Sequence, residues 1–255
     1  MVAPGAVPAG VDAASRLEVA RGLLRRMERP ARSEGARASP TPGDDGRVLP
    51  VAAPLARVLP AGGLRRGSTV AVGAGPGSTS LLFALLSAAS ASGAWAGVVG
   101  RPDLGLLAAA EAGVRLDRLA LVPRPGRDLV AVVAALVDGL DLVAVAGHER
   151  AGVRAADRQR LAARVRQRGA VLVALGAWPG ADLELSCTRA AWQGLVGAGA
   201  GRLRARHVQV RVRGRGIAPD GRTAGMQLPG GSGAVEPPAD DAVSVPLQAA
   251  ARAAV

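Results

Sequence analysis

Thr69-Val-Ala-Val-Gly-Ala-Gly-Pro-Gly-Ser-Thr-Ser-Leu81 runs from a short β-rich stretch through a glycine loop into an apolar helical segment. A phosphate-binding loop belongs at such a junction. Backbone amides there face an anion at a helix N-terminus, and glycines let the backbone approach closely. The working loop reads G-x-x-x-x-G-K-[ST]. With Gly77 as its second glycine, Ser78 stands at the lysine position and Thr79 at the metal-binding hydroxyl. The first glycine falls on Val72, one residue before Gly73. Gly73, Gly75 and Gly77 keep the shape of the loop, and the ammonium that reaches the β and γ phosphates is missing.

The residues downstream repeat the strand and helix pattern. Strands are expected at Trp95–Val99, Leu119–Val122, Leu142–Ala146 and Val171–Leu175. Helices are expected at Ser80–Ser90, Leu104–Ala112, Leu129–Leu136 and Ala155–Gln167, with Gly113 and Gly169 closing two of them. These strands are apolar throughout, the pattern of a parallel sheet buried on both faces. Alternating strand and helix implies an α/β, three-layer helix–sheet–helix core with right-handed crossovers. After Trp178 the pattern changes to antiparallel edge strands at Leu183–Cys187 and Leu203–Val212. In the second of these, valines alternate with Gln209 and Arg211, as expected for one wet face.

A nucleotide-cleaving site also needs a carboxylate at the end of a hydrophobic strand to hold Mg²⁺. That strand is Leu142-Val-Ala-Val-Ala146, and Ala146 occupies the place of the acid. Asp141 lies at the wrong end and Glu149 lies in the loop beyond. Without lysine and aspartate, little stabilises charge on a transferring phosphoryl group. The chain is therefore expected not to be an enzyme and to hold no cofactor, with nucleotide binding without turnover, as a weak switch, the alternative. No zinc spacing joins His148 to His207, so no metal site is expected either.

Composition sets further bounds. The 255 residues are 49% hydrophobic with 2% aromatic, so the core is built from Val, Leu and Ala. The formal charge is +12, and all 32 basic residues are Arg. A basic balance permits nucleic-acid contact without locating it. Cys187 is the single cysteine, which excludes an internal disulfide and fits a reducing cytosol. No signal peptide is expected at the start of the chain. Gly67–Gly100 carries no charged side chain, and hydropathy alone reads Leu81–Val99 as a membrane span. Gly73, Gly75, Pro76, Gly77 and Gly93 argue instead for strand, loop, helix and strand.

Three regions follow. Residues 1–46 hold an amphipathic helix (Val11–Glu28) and a linker; the helix either caps its own core or docks on a partner. Residues 47–213 form the core. Residues 214–255, rich in Gly, Pro and Ala, are expected to stay disordered until bound. Candidate partner contacts are Trp192, Arg213, Arg215 and Leu228, with a core tryptophan as the competing reading of Trp192. Arg202, Arg204, Arg206 and Arg211 either hold phosphates or blunt a solvated sheet edge.

Several stretches carry a family resemblance: Leu49-Pro-Val, Leu55-Ala-Arg-Val-Leu-Pro-Ala-Gly-Gly-Leu-Arg-Arg-Gly67, Gly93-Ala-Trp-Ala-Gly-Val-Val-Gly100 and Leu104-Gly-Leu-Leu-Ala-Ala-Ala-Glu-Ala-Gly-Val114. The most specific are Leu185-Ser-Cys-Thr-Arg-Ala-Ala-Trp-Gln-Gly-Leu195 and Gly201-Arg-Leu-Arg-Ala-Arg206. Together they mark out a core covering about two-thirds of the chain and resemble the actinobacterial ImuA-prime proteins, degenerate RecA-like members of the mutasome. The resemblance implies a RecA-like fold and a non-catalytic role in SOS-induced translesion synthesis. The implied partner is an ImuB-like Y-family homologue, and through it the sliding clamp and an error-prone DnaE-type polymerase. It implies a cytoplasmic, nucleoid-associated location, with no membrane and at most weak DNA contact; a DNA-binding recombination regulator without ATPase activity is the alternative. The chain departs from active RecA in two short loops, Gly147–Arg154 and Gly176–Asp182. It departs again at Gly100-Arg-Pro-Asp103, where RecA's catalytic glutamate would follow its strand.

Overall fold

The computed structural model describes residues 46–195, 201–238 and 245–246. The expected N-terminal helix, and the last residues apart from the pair 245–246, lie outside them. Strands β3 (Thr69–Val72), β4 (Ala96–Val99) and β6 (Leu142–Val145) are buried at every position, and β7 (Val171–Leu175) at all but the last. Strands with no wet face must sit inside a sheet covered on both sides. They do so here in the order β10-β9-β8-β3-β7-β6-β4-β5. β5 is Leu119–Val122, β8 Leu183–Leu195, β9 Gly201–Gly214 and β10 Arg222–Gln227. Every pairing from β8 across to β5 is parallel.

One face of the sheet carries α2 (Ser78–Ala91), which has buried residues all around its circumference, among them Leu81, Leu82, Phe83, Leu85 and Leu86. A helix apolar all round needs cover on both sides. The sheet gives one cover. The other includes a small antiparallel pair, β1 (Val48–Pro50) with β2 (Gly63–Arg65), the short α1 (Ala53–Ala56), which adds Leu55, and α3 (Leu106–Glu111), which adds Ala109. The opposite face packs α4 (Leu129–Gly139) and α5 (Ala155–Arg168) over Trp178. The uncharged Leu81–Val99 stretch thus divides into α2, a turn at Gly93 (φ 99°) and β4. Among the described residues no helix is long and apolar enough to cross a membrane.

The α/β class with antiparallel edge strands matches the expectation, but the edge is larger. β8 continues past Cys187 to Leu195 and β9 begins already at Gly201, so the two form a long hairpin. On β9, Val208, Val210 and Val212 are fully buried while Gln209 and Arg211 are half-buried on the other side. The boundary expected at residue 213 does not coincide with the end of regular structure. β10 pairs with β9 from Arg222 to Gln227, and Met226 and Leu228 are buried. The segment Arg-Thr-Ala-Gly-Met-Gln has little strand propensity of its own; pairing and burial against β9 supply it. β11 (Val245–Pro246) adds to β8 opposite Trp192 and Ala191.

Two aspartates staple the amino ends of the strands. Trp95 N donates to Asp141 Oδ2 at 2.9 Å, and Arg66 Nη2 to Oδ1 of the same carboxylate at 2.8 Å. Thr69 N donates to Asp182 Oδ2 at 2.9 Å. Asp141, at the wrong strand end for a metal, thus has a structural task. We expect Asp141→Ala to lower stability by roughly 1–3 kcal/mol, the usual cost of unpairing a partly buried charge-assisted bond, read as a lower urea midpoint. An unchanged midpoint would show that the staple is idle.

Candidate functional site

β3 is followed by Gly73, whose N–H donates to Leu185 O of β8 at 2.7 Å. The chain then passes Gly75 (φ 132°) and reaches Gly77 (φ 99°), which caps α2 in the left-handed region with no side-chain cap. A Cβ at Gly77 would lie 3.0 Å from Cys187 Sγ and 3.3 Å from an Arg206 guanidinium nitrogen, so close approach and positive φ both call for glycine here. The expected residues Gly73, Gly75, Gly77, Ser78 and Thr79 therefore form one loop at the carboxyl end of β3.

Beside the loop lies a cavity of about 490 Å³. Such crevices at the carboxyl ends of α/β strands are where ligands sit. Its wall includes Ser78, Arg101, Asp103, Ala146, Glu149 and Arg150, two cationic and two anionic side chains among them. Arg101, in the turn after β4, donates through Nη2 to Thr79 Oγ1 at 3.4 Å and through Nε to Asp103 Oδ1 at 3.1 Å. A guanidinium thus stands at the hydroxyl that would hold a metal in a working loop. Ala146 is buried at the end of β6, where the acid would be.

His148 and Glu149 form a clamp on the loop after β7. His148 Nε2 donates to Ala177 O at 2.9 Å, and Glu149 Oε1 accepts Ala177 N–H at 3.3 Å. The imidazole packs edge-on to Trp178, with ring centroids 4.9 Å apart, and its Nδ1 is buried without a partner. Both peptide groups of one residue are held by neighbours in sequence, so the short loops after β6 and β7 are fixed to each other. The sequence shows the pair but not its target, because residue 177 lies on another strand's loop.

The remaining candidates separate. Arg206 is buried. Its Nε donates to Leu228 O at 2.8 Å, its Nη2 to Ser80 Oγ at 3.0 Å, and its guanidinium lies 5.2 Å from the Trp192 ring centroid. It pins the hairpin to the first turn of α2 and is not open to a phosphate. Arg211 is half-buried, with Nη2 on Asp220 O. Arg202 and Arg204 are exposed. Of the partner candidates, Trp192 is half-buried under Arg206 and Leu228 is 1% exposed, while Arg213 and Arg215 are exposed at the other end of β9. These four do not make one surface, because Leu228, directly after β10, is buried in the core beside Met226. Burial pushes the Cys187 thiol up to about 11, with Arg206 pulling it back in part.

The MT3502 N-terminal domain model matches residues 57–180. The uncharacterized protein Rv3395c of Mycobacterium tuberculosis (strain ATCC 25618 / H37Rv) is 40% identical over 151 residues, spanning 56% of this chain and 74% of the relative. The crystal structure of the RadB recombinase is similar with a TM-score of 0.52 at 14% identity, over 72% of this chain and 96% of that one. The likeness to RadB establishes a RecA-like fold.

Since Cys187 is the single thiol, its reactivity can be read without interference. Alkylation proceeds through the thiolate. The rate of labelling by iodoacetamide should keep rising about tenfold per pH unit to near pH 11, instead of levelling near 9. Labelling of the native protein that saturates at the lower value would mean the thiol is not buried against the loop.

Proposed function

Because the chain belongs to the family of the Mycobacterium tuberculosis protein Rv3395c and carries a RecA-like core, we propose that it is a non-hydrolysing accessory protein of SOS-induced translesion synthesis. In this reading it holds an ImuB-like Y-family homologue, and through it the sliding clamp and an error-prone DnaE-type polymerase. The setting is supported by the ImuA-prime resemblance of Leu185–Leu195 and Gly201–Arg206. The mechanism is supported by one observation, the contact of Arg101 with Thr79. A metal brought to that hydroxyl meets a fixed cation. Two unit charges 4 Å apart interact by about 4 kcal/mol at an effective dielectric of about 20. Asp103 offsets part of that cost, but neither Ser78 nor Ala146 supplies the missing charges.

The hairpin is the natural place for a partner. β8 pairs with β3 only through Leu183–Leu185, so from Ser186 onward that edge has a strand partner only in the two residues of β11 among the described residues. An open strand edge accepts a strand from another chain, with main-chain hydrogen bonds giving affinity. The alternative, a DNA-binding recombination regulator, draws on exposed Arg202 and Arg204 and would show steep salt dependence at those residues.

The test is co-expression with the ImuB-like protein of the same genome. The full chain should co-purify with it, and removal of residues 239–255 should weaken capture while leaving the thermal midpoint of the core in place. A larger deletion from residue 214 should unfold the core, since it removes β10 and buried Met226 and Leu228. Purified protein should show no Mg²⁺-dependent ATP turnover. Turnover that falls in a Thr79→Ala variant would reject the non-hydrolysing role, and failure to co-purify would reject the partner.

A further inference from the structure

At the amino ends of β3, β7 and β8, opposite the glycine loop, lies a second recess of about 420 Å³. Arg65, Arg66, Arg166 and Arg215 line it, with Asp182 as its one acidic residue. These guanidiniums come from four places in the chain: the end of β2, the turn before β3, the last part of α5, and the turn after β9. Gly67 brings them together. It adopts φ 80°, and a Cβ there would lie 3.3 Å from Arg166 Cα, so the Arg65-Arg66 turn rests directly against α5.

The acids nearby are already engaged. Asp182 holds Thr69 N–H and lies 3.7 Å from Arg215, and Asp141 holds both Trp95 N–H and Arg66. Arg66 also donates to Gly169 O at 3.2 Å, covering a carbonyl at the negative end of α5. Arg65 and Arg166 are exposed and have no ion-pair partner among the described residues. Counting Asp141 as well, four guanidiniums face two carboxylates, whereas the cavity at the carboxyl ends has two of each sign. Of the two recesses only this one has a cationic excess.

We propose that this recess binds phosphate groups, and that their source is a polynucleotide backbone. This goes beyond the accessory role above and does not depend on it. Guanidinium forks match phosphate oxygens in pairs. No aromatic side chain lines the recess, so it has no platform on which bases could stack. Its apolar lining is confined to Pro60, Ala61 and the buried Leu183, which leaves no anchor pocket for an acidic protein segment. Binding is therefore indifferent to base sequence and steep in salt.

The experiment measures fluorescence anisotropy of labelled oligothymidylate and of a mixed-sequence oligonucleotide with the full chain, from low salt upward. Both should bind with similar affinity. An Arg65→Glu/Arg166→Glu variant should lose at least about tenfold, and its salt slope should fall by about 1.4, or 0.7 for each lost single-strand contact. An Arg202→Glu/Arg204→Glu variant should bind like the native chain. Arg65→Gln/Arg166→Gln, with the thermal midpoint measured alongside, replaces the charge reversal if that variant does not fold. If neither oligonucleotide binds but tripolyphosphate raises the midpoint of the native chain and not of the recess variant, the source is a small phosphate and the shared chemistry stands. Three results overturn the assignment: no response to either ligand at low salt, loss confined to the hairpin variant, or tighter binding of polyglutamate than of the oligonucleotide.

Discussion

Burial of the central strands on both faces is the constraint from which the other features follow. β3, β4 and β6 have no solvent-facing side, so polar chemistry is expelled to the two ends of the sheet. At the amino ends, the first amides of β3 and the residue before β4 would lie partly buried without partners. Asp182 and Asp141 accept them, and Arg66 in turn neutralises Asp141. A polar layer that begins as backbone satisfaction thereby collects guanidiniums in one place, because each carboxylate that enters such a layer needs a cation.

The carboxyl ends have taken another course. The glycine loop keeps its close approach to β8, yet the groups around it are turned on one another: Arg101 on Thr79 and Asp103, His148 and Glu149 on Ala177, Arg206 on Ser80 and Leu228. Arg206 brings a cation to the first turn of α2, the positive end of that helix. It lies there without a carboxylate among the described residues. Two carbonyl or hydroxyl acceptors and the face of Trp192 stand in for one. The cluster joins the hairpin to the core beside the glycine loop.

The hairpin and β10 extend the sheet beyond the parallel core. Val208, Val210 and Val212 present one apolar face, and Met226 from β10 completes it. The other face carries Gln209 and Arg211. The extension is therefore amphipathic in the manner of an edge, whereas the strands it grows from are not. The same chain thus joins a sheet covered on both faces to a long hairpin at its edge.

Much of this was legible in the residues themselves. The apolar runs at Leu142–Val145 and Val171–Leu175 mark doubly buried strands, the period of Ala155–Arg168 marks a helix, and Ser78 and Ala146 announce missing charges, because each of these properties is local in sequence. Other features depend on which segments fold against each other. Arg206 reads as one more surface arginine until Leu228, Ser80 and Trp192 surround it. Arg-Thr-Ala-Gly-Met-Gln reads as coil until β9 offers it a ladder. Arg65, Arg66, Arg166 and Arg215 are unremarkable among 32 basic residues, and only the tertiary structure brings them to one recess, since charge clustering is set by distances in space that no spacing along the chain encodes.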